Sequence, residues 1–217
     1  MRIPARFNGP PGSGNGGWSA GVFAAAAPGS GIRQVTLRLP PPLEADLEVR
    51  DDLVYAGSSL IAELADVPDA GPGVDPVGWD TAVTAARDYP GFTAHPFPTC
   101  FVCGPERAEG DGLRIFPGPL PDGRTAAPWT VPDEVSAPLL WAALDCPGGW
   151  TAITPGQAYV LGRIAVALAT PPEPGAHCVI TGAVVELTGR KALVDSAVHG
   201  PDGQRLAVAR ATWIRTA

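Results

Sequence analysis

Two short stretches of this chain carry residues with the makings of a reaction site. The first, Asn8-Gly9-Pro10-Pro11-Gly12-Ser13-Gly14-Asn15-Gly16-Gly17-Trp18, is a glycine-dense loop that runs into the small-residue apolar segment Trp18 to Ala27. Glycines let a backbone approach a ligand closely, and the first N–H groups of a helix lack intrahelical acceptors and carry partial positive charge. Such a junction can polarise a carbonyl. The second stretch, Leu139-Leu140-Trp141-Ala142-Ala143-Leu144-Asp145-Cys146-Pro147-Gly148-Gly149-Trp150, is an apolar helix that holds one acid, Asp145. A carboxylate on an apolar helix face is desolvated, which raises its pKa. It can hold a water as general base or attack a carbonyl directly. Two plainer readings of Asp145 stay open: a helix C-terminal residue facing solvent, or one whose oxygens are taken by backbone N–H groups at the Pro147-Gly148-Gly149 turn. For Asn8 and Asn15, turn formation competes with ligand contact, because Asn favours turns.

A third group is Cys100-Phe101-Val102-Cys103-Gly104-Pro105, with His95 five residues upstream. A Cys pair at this spacing is half a zinc site, a redox pair or a packed loop. Cys146 and Cys178 are isolated in apolar segments, where a free Cys behaves as a small hydrophobe. The packed loop is the expectation, with no metal and no cofactor. His177 and His199 sit in no recognisable motif. Gly12-x-Gly14-x-x-Gly17 matches the dinucleotide-binding pattern, but the elements after it are antiparallel and no strand-helix-strand unit follows.

The composition supports a packed chain. With 217 residues and 45% hydrophobic content it can bury a substantial core, and its 27 Gly and 26 Pro cluster between periodic segments as loops. A net charge of −7 argues against nucleic acid as a partner, since neutralising phosphates needs clustered Lys and Arg. Arg2 and Arg6 followed by Trp18 to Ala27 loosely mimic a signal peptide, but a Gly/Pro/Asn loop intervenes where a short basic region should abut the apolar core. No run reaches the roughly 20 apolar residues that span a bilayer. The expectation is a cytoplasmic protein without membrane contact.

These groups need elements to hold them. Gly31 to Leu39 alternates Val35, Leu37 and Leu39 against Gln34, Thr36 and Arg38, the period of a half-buried strand. Leu47 to Arg50 and Ser59 to Ala65 read as two more strands, separated by Asp51-Asp52 and Gly57. A helix is expected within Pro76 to Asp88, in a connector from Asp66 to Thr99. Further on, Gly112 to Phe116 and Arg124 to Val131 read as strands. Ser136 caps a helix that starts near Ala137 and stops at Pro147-Gly148. Ala158 to Ala169, Cys178 to Leu187, Ala192 to His199 and Arg205 to Arg215 then read as four strands. The order of helix followed by strands occurs twice, a duplication of pattern rather than of residues.

The Asn8 to Trp18 loop resembles the start of the central helix in hotdog-fold acyl-thioester enzymes, where an Asn and a Gly-Gly pair precede a helix of small residues. Leu139 to Trp150 resembles the same element of a second unit. Cys100-Phe101-Val102-Cys103-Gly104-Pro105, with Gly110, Gly112 and Leu113, resembles the Cys-x-x-Cys-Gly-Pro opening of bacterial hotdog thioesterase-like proteins. The resemblance implies an α+β fold, a double hotdog of two units, each an antiparallel sheet wrapped around a central helix. The N-terminal unit would span 1–70, the connector 71–99 and the C-terminal unit 100–217, with the two sheets continuing edge to edge.

In that family an Asn and a glycine or two are followed by a His-Gly-Gly or similar, then by an acid about two turns further on. The first half here has Asn8, Gly12, Asn15, Gly16 and Gly17, with Asn15 where His is common, but Ala24 where the acid would stand. The second half has Asp145, but Ser136-Ala137 in place of the glycine pair. Hotdog sites form where two units meet, so the resemblance implies one composite site. Asp145, Asn8 and Asn15 would be its catalytic residues, and Gly12, Gly16, Gly17, Trp18 and Trp141 would contact the substrate. The implied activity is hydrolysis of an acyl-CoA thioester, with Asp145 as general base or nucleophile and the oxyanion held by the Gly16 or Gly17 N–H or by Asn8. A non-catalytic hotdog protein that binds acyl-CoA or a lipid-like ligand is the alternative. A hydratase would pair its acid with a His, and none of the three stands in such a motif. Arg107, Arg114, Arg124, Arg163, Arg190 and Lys191 are candidate grips for the phosphates of coenzyme A. Long-chain double-hotdog thioesterases also carry a Gln on the last strand, and Arg210 falls there in this sequence. A homodimer is expected, to cover sheet edges and apolar Trp residues.

Overall fold

The fold starts from a helix cap. Asn15 ends the glycine loop, its Oδ1 accepts the Trp18 N–H at 2.8 Å, and helix α1 runs from Gly16 to Ala26. In the computed structural model, which describes residues 1–29 and 31–216, α1 leads into β1 (Ile32–Leu37), β2 (Glu48–Arg50), β3 (Leu53–Ala56) and β4 (Ser59–Val67). Helix α2 (Trp79–Arg87), β5 (Gly118–Pro119) and β6 (Thr125–Thr130) precede the central helix α3 (Ala137–Gly149). The chain closes with β7 (Tyr159–Leu168), β8 (His177–Thr188), β9 (Lys191–His199) and β10 (Arg205–Arg215).

Among the described residues all ten strands join one antiparallel sheet in the order β2-β3-β4-β1-β7-β10-β9-β8-β6-β5. About the β1–β7 seam four strands on each side mirror one another, with β6 and β5 added beyond β8 on one side only. Outward from the seam, the strands that follow α1 run β1, β4, β3, β2, and those that follow α3 run β7, β10, β9, β8. At the seam Val35 faces Ile164 and Gln34 faces Ala165, so the two halves of the sheet continue edge to edge. The architecture is α+β and of hotdog type: α3 packs on β6 to β10, α1 on β1 and β7, and the two helices on each other. Among the described residues no helix is long and apolar enough to cross a membrane.

Helix α3 is buried on every side from Leu139 to Gly149, as a helix without a polar face must be. Ser136 caps it, accepting the Leu139 N–H at 3.3 Å. It does not stop at Pro147 but continues to Gly149. Proline removes one N–H, yet neighbouring strands and the C-terminal turn take up the carbonyls at this end. Ser196 Oγ donates to Leu144 O at 2.7 Å, Thr125 Oγ1 to Pro147 O at 2.7 Å, and Trp150 N to Cys146 O at 2.9 Å.

Two other expectations need correction. Leu53–Ala56 is a strand that the sequence reading left between turns. Asp51 adopts φ 52°, and with Asp52 it forms a two-residue reversal that pairs Arg50 with Leu53. Conversely, Gly112 to Phe116 is not a strand. Gly112 and Arg114 both have positive φ, and the segment instead lies along the Cys loop, with Leu113 N donating to Phe101 O and Ile115 N to Val102 O. The expected connector is packed rather than slack. Helix α2 lies on β5, β6 and β8, and a Cβ on Gly118 would fall inside the Ala85 carbonyl. Ahead of α2, Val74 O faces His199 Nε2 at 2.9 Å.

Candidate active site at the helix junction

Helices α1 and α3 touch because α1 has no side chains where they cross. A Cβ on Gly17 would lie 2.6 Å from both the Asp145 Cβ and the Trp141 carbonyl oxygen, and one on Gly21 would lie 2.6 Å from the Pro138 Cα. The Gly17-x-x-x-Gly21 spacing puts both gaps on one helix face. This approach brings Asp145 to the N-terminus of α1. Its Oδ2 accepts the Gly17 N–H at 2.9 Å and the Asn15 Nδ2–H at 3.1 Å, while Oδ1 is buried without a hydrogen-bond partner among the described residues. Burial drives the carboxyl pKa up to about 7; the Gly17 N–H opposes the rise, the Cys100 sulfur adds to it, and Asn15 opposes it. The readings of Asp145 as a solvent-facing residue or a partner of the Pro147-Gly148-Gly149 turn are excluded, since it is 1% exposed and bonded to α1.

Asp145 forms part of the wall of a narrow cavity of about 40 Å³, with room for a water molecule or two. Asn15, Gly16, Cys100, Cys103, Cys146 and Trp150 also line it, and Tyr159, Leu161 and Trp213 close it on the sheet side. The slot shares Pro10, Gly16, Val160 and Leu161 with a groove of about 320 Å³ whose rim carries Arg38. It shares His95 and Pro96 with a second groove of about 420 Å³ whose rim carries Arg215.

Asp145, Asn15, Gly16 and Gly17 thus come together across 128 to 130 residues of chain. The other residues named from sequence lie elsewhere. Asn8 Oδ1 accepts from Arg107 Nη2 and its Nδ2 donates to Thr99 Oγ1 at 3.1 Å, so its side chain ties the N-terminal loop to the Cys loop. Gly12 is an exposed turn residue at φ 72°. Trp18 stacks on Phe7 at 3.7 Å and meets Phe101 edge-on. Trp141 packs its side chain against Gly21. None of these four lines the slot.

The six basic candidates are absent from the slot and from both grooves. Arg107 is held by Asp111, Asn8 and the Arg6 carbonyl, and Arg124 by Asp122 and the Asp75 carbonyl. Arg210 forms two bonds to Asp195 on the neighbouring strand, at 2.8 and 2.9 Å, and does not line the slot.

Cys146 is the residue that sequence reasoning missed. It follows Asp145 on α3, and its sulfur stands 4.0 Å from that of Cys100. Cys100, Cys103 and Cys146 all have their sulfurs within 4.8 Å of one another. Hydrogen bonding from the Cys103 and Cys146 thiols holds Cys100 well below the ordinary thiol range. Cys103 is pushed well above it by burial, and Cys146 by the hydrogen bonds it gives to the other two sulfurs.

No family model and no curated protein matches this chain. Solved structures do resemble it in part. The Escherichia coli PaaI protein from the phenylacetic acid degradation operon aligns over 44% of this chain and 74% of its own, at 16% identity and a TM-score of 0.41. A Streptococcus mutans UA159 protein bound to acetyl CoA aligns over 44% and 82%, at 19% identity and 0.41. A thioesterase superfamily protein aligns over 66% and 69%, at 18% identity and 0.48.

Proposed function

We propose that the protein hydrolyses acyl-CoA thioesters, with Asp145 as general base toward a water or as nucleophile toward the carbonyl. The observation that carries this reading is a buried carboxylate on the wall of a narrow slot, one oxygen pinned by Gly17 and Asn15 and the other without a partner among the described residues. Pinning fixes the direction of the free oxygen, and burial gives it a proton affinity suited to work near neutral pH. In the general-base route Oδ1 takes a proton from water as the oxygen attacks the carbonyl carbon. The tetrahedral intermediate then collapses, the C–S bond breaks, and the carboxyl returns its proton to the departing thiolate.

The developing oxyanion needs a donor. Gly17's N–H is committed to Asp145, and Asn8's side chain to Arg107 and Thr99. The donor assigned here is the Gly16 N–H, first in α1 and on the slot wall. Arg215, on one groove rim, replaces the six cations considered from sequence as the candidate for the coenzyme A phosphates, whereas Arg38, on the other, is paired with Glu63.

The mirrored order of four strands on each side of the seam supports a tandem scaffold, with an N-terminal hotdog unit at 1–70 and a C-terminal one at 100–217. It works as a cytoplasmic homodimer in this proposal. The test is thiol release from a panel of acyl-CoAs by the purified protein and by Asp145→Asn. Turnover that drops by about 10²–10⁴-fold in the variant supports the role. An equally active Asp145→Asn overturns it. A wild type that binds acyl-CoA without turnover selects the ligand-binding alternative.

A further inference from the structure

The three sulfurs at the inner wall of the slot come from two distant places, the Cys100–Cys103 loop and helix α3, and converge in a buried corner. Sulfurs that share one tetrahedral zinc at about 2.3 Å are roughly 3.8 Å apart. Cys100 and Cys146 already stand at 4.0 Å.

The surrounding N–H groups are arranged for sulfur that carries negative charge. Trp150 Nε1–H donates to Cys103 Sγ at 3.5 Å, and His95 Nε2 faces the same sulfur at 3.3 Å. His95 Nδ1 accepts the Phe97 N–H at 2.8 Å. That contact places the ring proton on Nε2, so the imidazole donates to sulfur instead of offering a lone pair. Cys100 Sγ faces Asn15 Nδ2 at 3.7 Å. Neutral thiols are weak acceptors, and this many donors suits thiolates. The loop that presents them is tight: a Cβ on Gly104 would lie 2.5 Å from the Cys100 nitrogen and from the Pro98 oxygen.

We propose that Cys100, Cys103 and Cys146 bind one soft divalent ion, zinc in the first place, as three thiolates. Three thiols lose three protons to solvent as the ion enters, and no oxidant is needed. The resulting centre carries one negative charge, which the N–H groups of His95, Trp150 and Asn15 offset. Its fourth position opens on the slot that Asp145 also lines, where a water or a substrate sulfur fits. His95 acts as a hydrogen-bond donor to a ligand, not as a ligand. The centre would staple the Cys loop to α3 whether or not the protein hydrolyses thioesters.

The test uses the full chain, purified under reducing conditions without chelator, with metal content measured by mass spectrometry and Co²⁺ titrated in as a probe. The expected result is about one zinc per chain. Co²⁺ should give sulfur-to-metal charge-transfer absorption and the intense visible bands of a tetrahedral site. Cys178→Ser, which alters the one cysteine outside the cluster, should leave both unchanged, and Cys146→Ser should lose them. Should Cys146→Ser fail to fold, the wild-type cobalt spectrum decides alone. Folded, reduced wild type that shows no charge-transfer band overturns the proposal, as does a Cys100–Cys103 disulfide that persists in the presence of thiol reductant.

Discussion

Replacing Gly17 with alanine tests the crossing on which the site depends. The new Cβ would meet two parts of α3 at 2.6 Å, the Asp145 Cβ and the Trp141 carbonyl oxygen, and the Ala142 Cα at 3.1 Å, where ordinary contact begins at 3.4 Å. Relief therefore requires a retreat of several tenths of an ångström by helix backbone, not by the tip of a flexible side chain. Helix α3 has little room to retreat, since it is buried from Leu139 to Gly149 and tied to the sheet through Ser196 and Thr125. Overpacking costs about 1–3 kcal/mol and more where backbone must move, while Gly→Ala in a helix returns up to about 1 kcal/mol. A net loss of about 1–2 kcal/mol is expected, which lowers Tm by roughly 2–8 °C for a chain of this size. Gly78→Ala, at a position with nothing within 4 Å of the new Cβ, is the control. Circular-dichroism melts of the two variants and the wild type read the stability, and thiol release reads the position of Asp145. A Gly17→Ala protein that melts with the Gly78→Ala control, or keeps full turnover, would refute the claim that this contact sets the site.

Asp145→Asn separates function from stability. The carboxyl pKa is raised from 3.8 to about 7 on folding, so the native state binds its proton more tightly than the unfolded chain. The associated stability is full below about 4 and is lost as pH rises through about 7, at 1.36 kcal/mol per pH unit. In reduced, metal-free protein, Asp145→Asn should match wild type near pH 4 and exceed it near pH 9 by up to about 4 kcal/mol, as read by denaturant titration; lower stability at pH 9 would contradict the desolvated carboxylate. Wild-type hydrolysis should climb with pH and level off above about 7, because only the carboxylate accepts a proton, and a pH–rate profile flat from 5 to 8 would count against that role. Arg210→Met leaves the 5%-exposed Asp195 side chain without its partner and should cost about 1–3 kcal/mol in a melt with KM and kcat unchanged, whereas a kinetic defect would place Arg210 in the site. Static light scattering should give the mass of two chains, and a monomer at high concentration would refute the dimer.

Elements with a strong local signal were legible from sequence. Ser136 is a cap whose side chain does locally what its type suggests, and Arg205 to Arg215 alternates cleanly enough to be bounded to the residue. Leu53–Ala56 escaped because four residues between two turns are too few for a period to emerge. Gly112 to Phe116 misled because its apolar residues pack against a loop instead of a sheet. The meeting of Asp145 with Asn15, Gly16 and Gly17 was expected from the resemblance of the two helix openings. The bond of Asn8 to Arg107 was not, since that partner is 99 residues away and an Asn in a turn gives no hint of one. The nearness of Cys146 to Cys100 was hidden for the same reason, although its burial in the core was expected. A lone apolar-flanked cysteine looks like packing until the fold sets it beside Cys100. Arg33, buried and paired with Asp66 and Asp52, interrupts the expected alternation of β1 for a reason that lies on other strands.

The β1–β7 seam bears on how the chain is made. Strand β1 finds its outer partner β4 within 36 residues, but its inner edge stays open until β7 arrives, and the glycine face of α1 stays uncovered until α3 does. During synthesis the first half is therefore a four-stranded sheet with an unsatisfied edge beside an apolar helix, the kind of surface that pairs with another copy when its own partner is late. A fragment that ends before Ala137 should be recovered in aggregates, and full-length yield should improve at lower temperature, where encounters between nascent chains slow relative to completion of the seam.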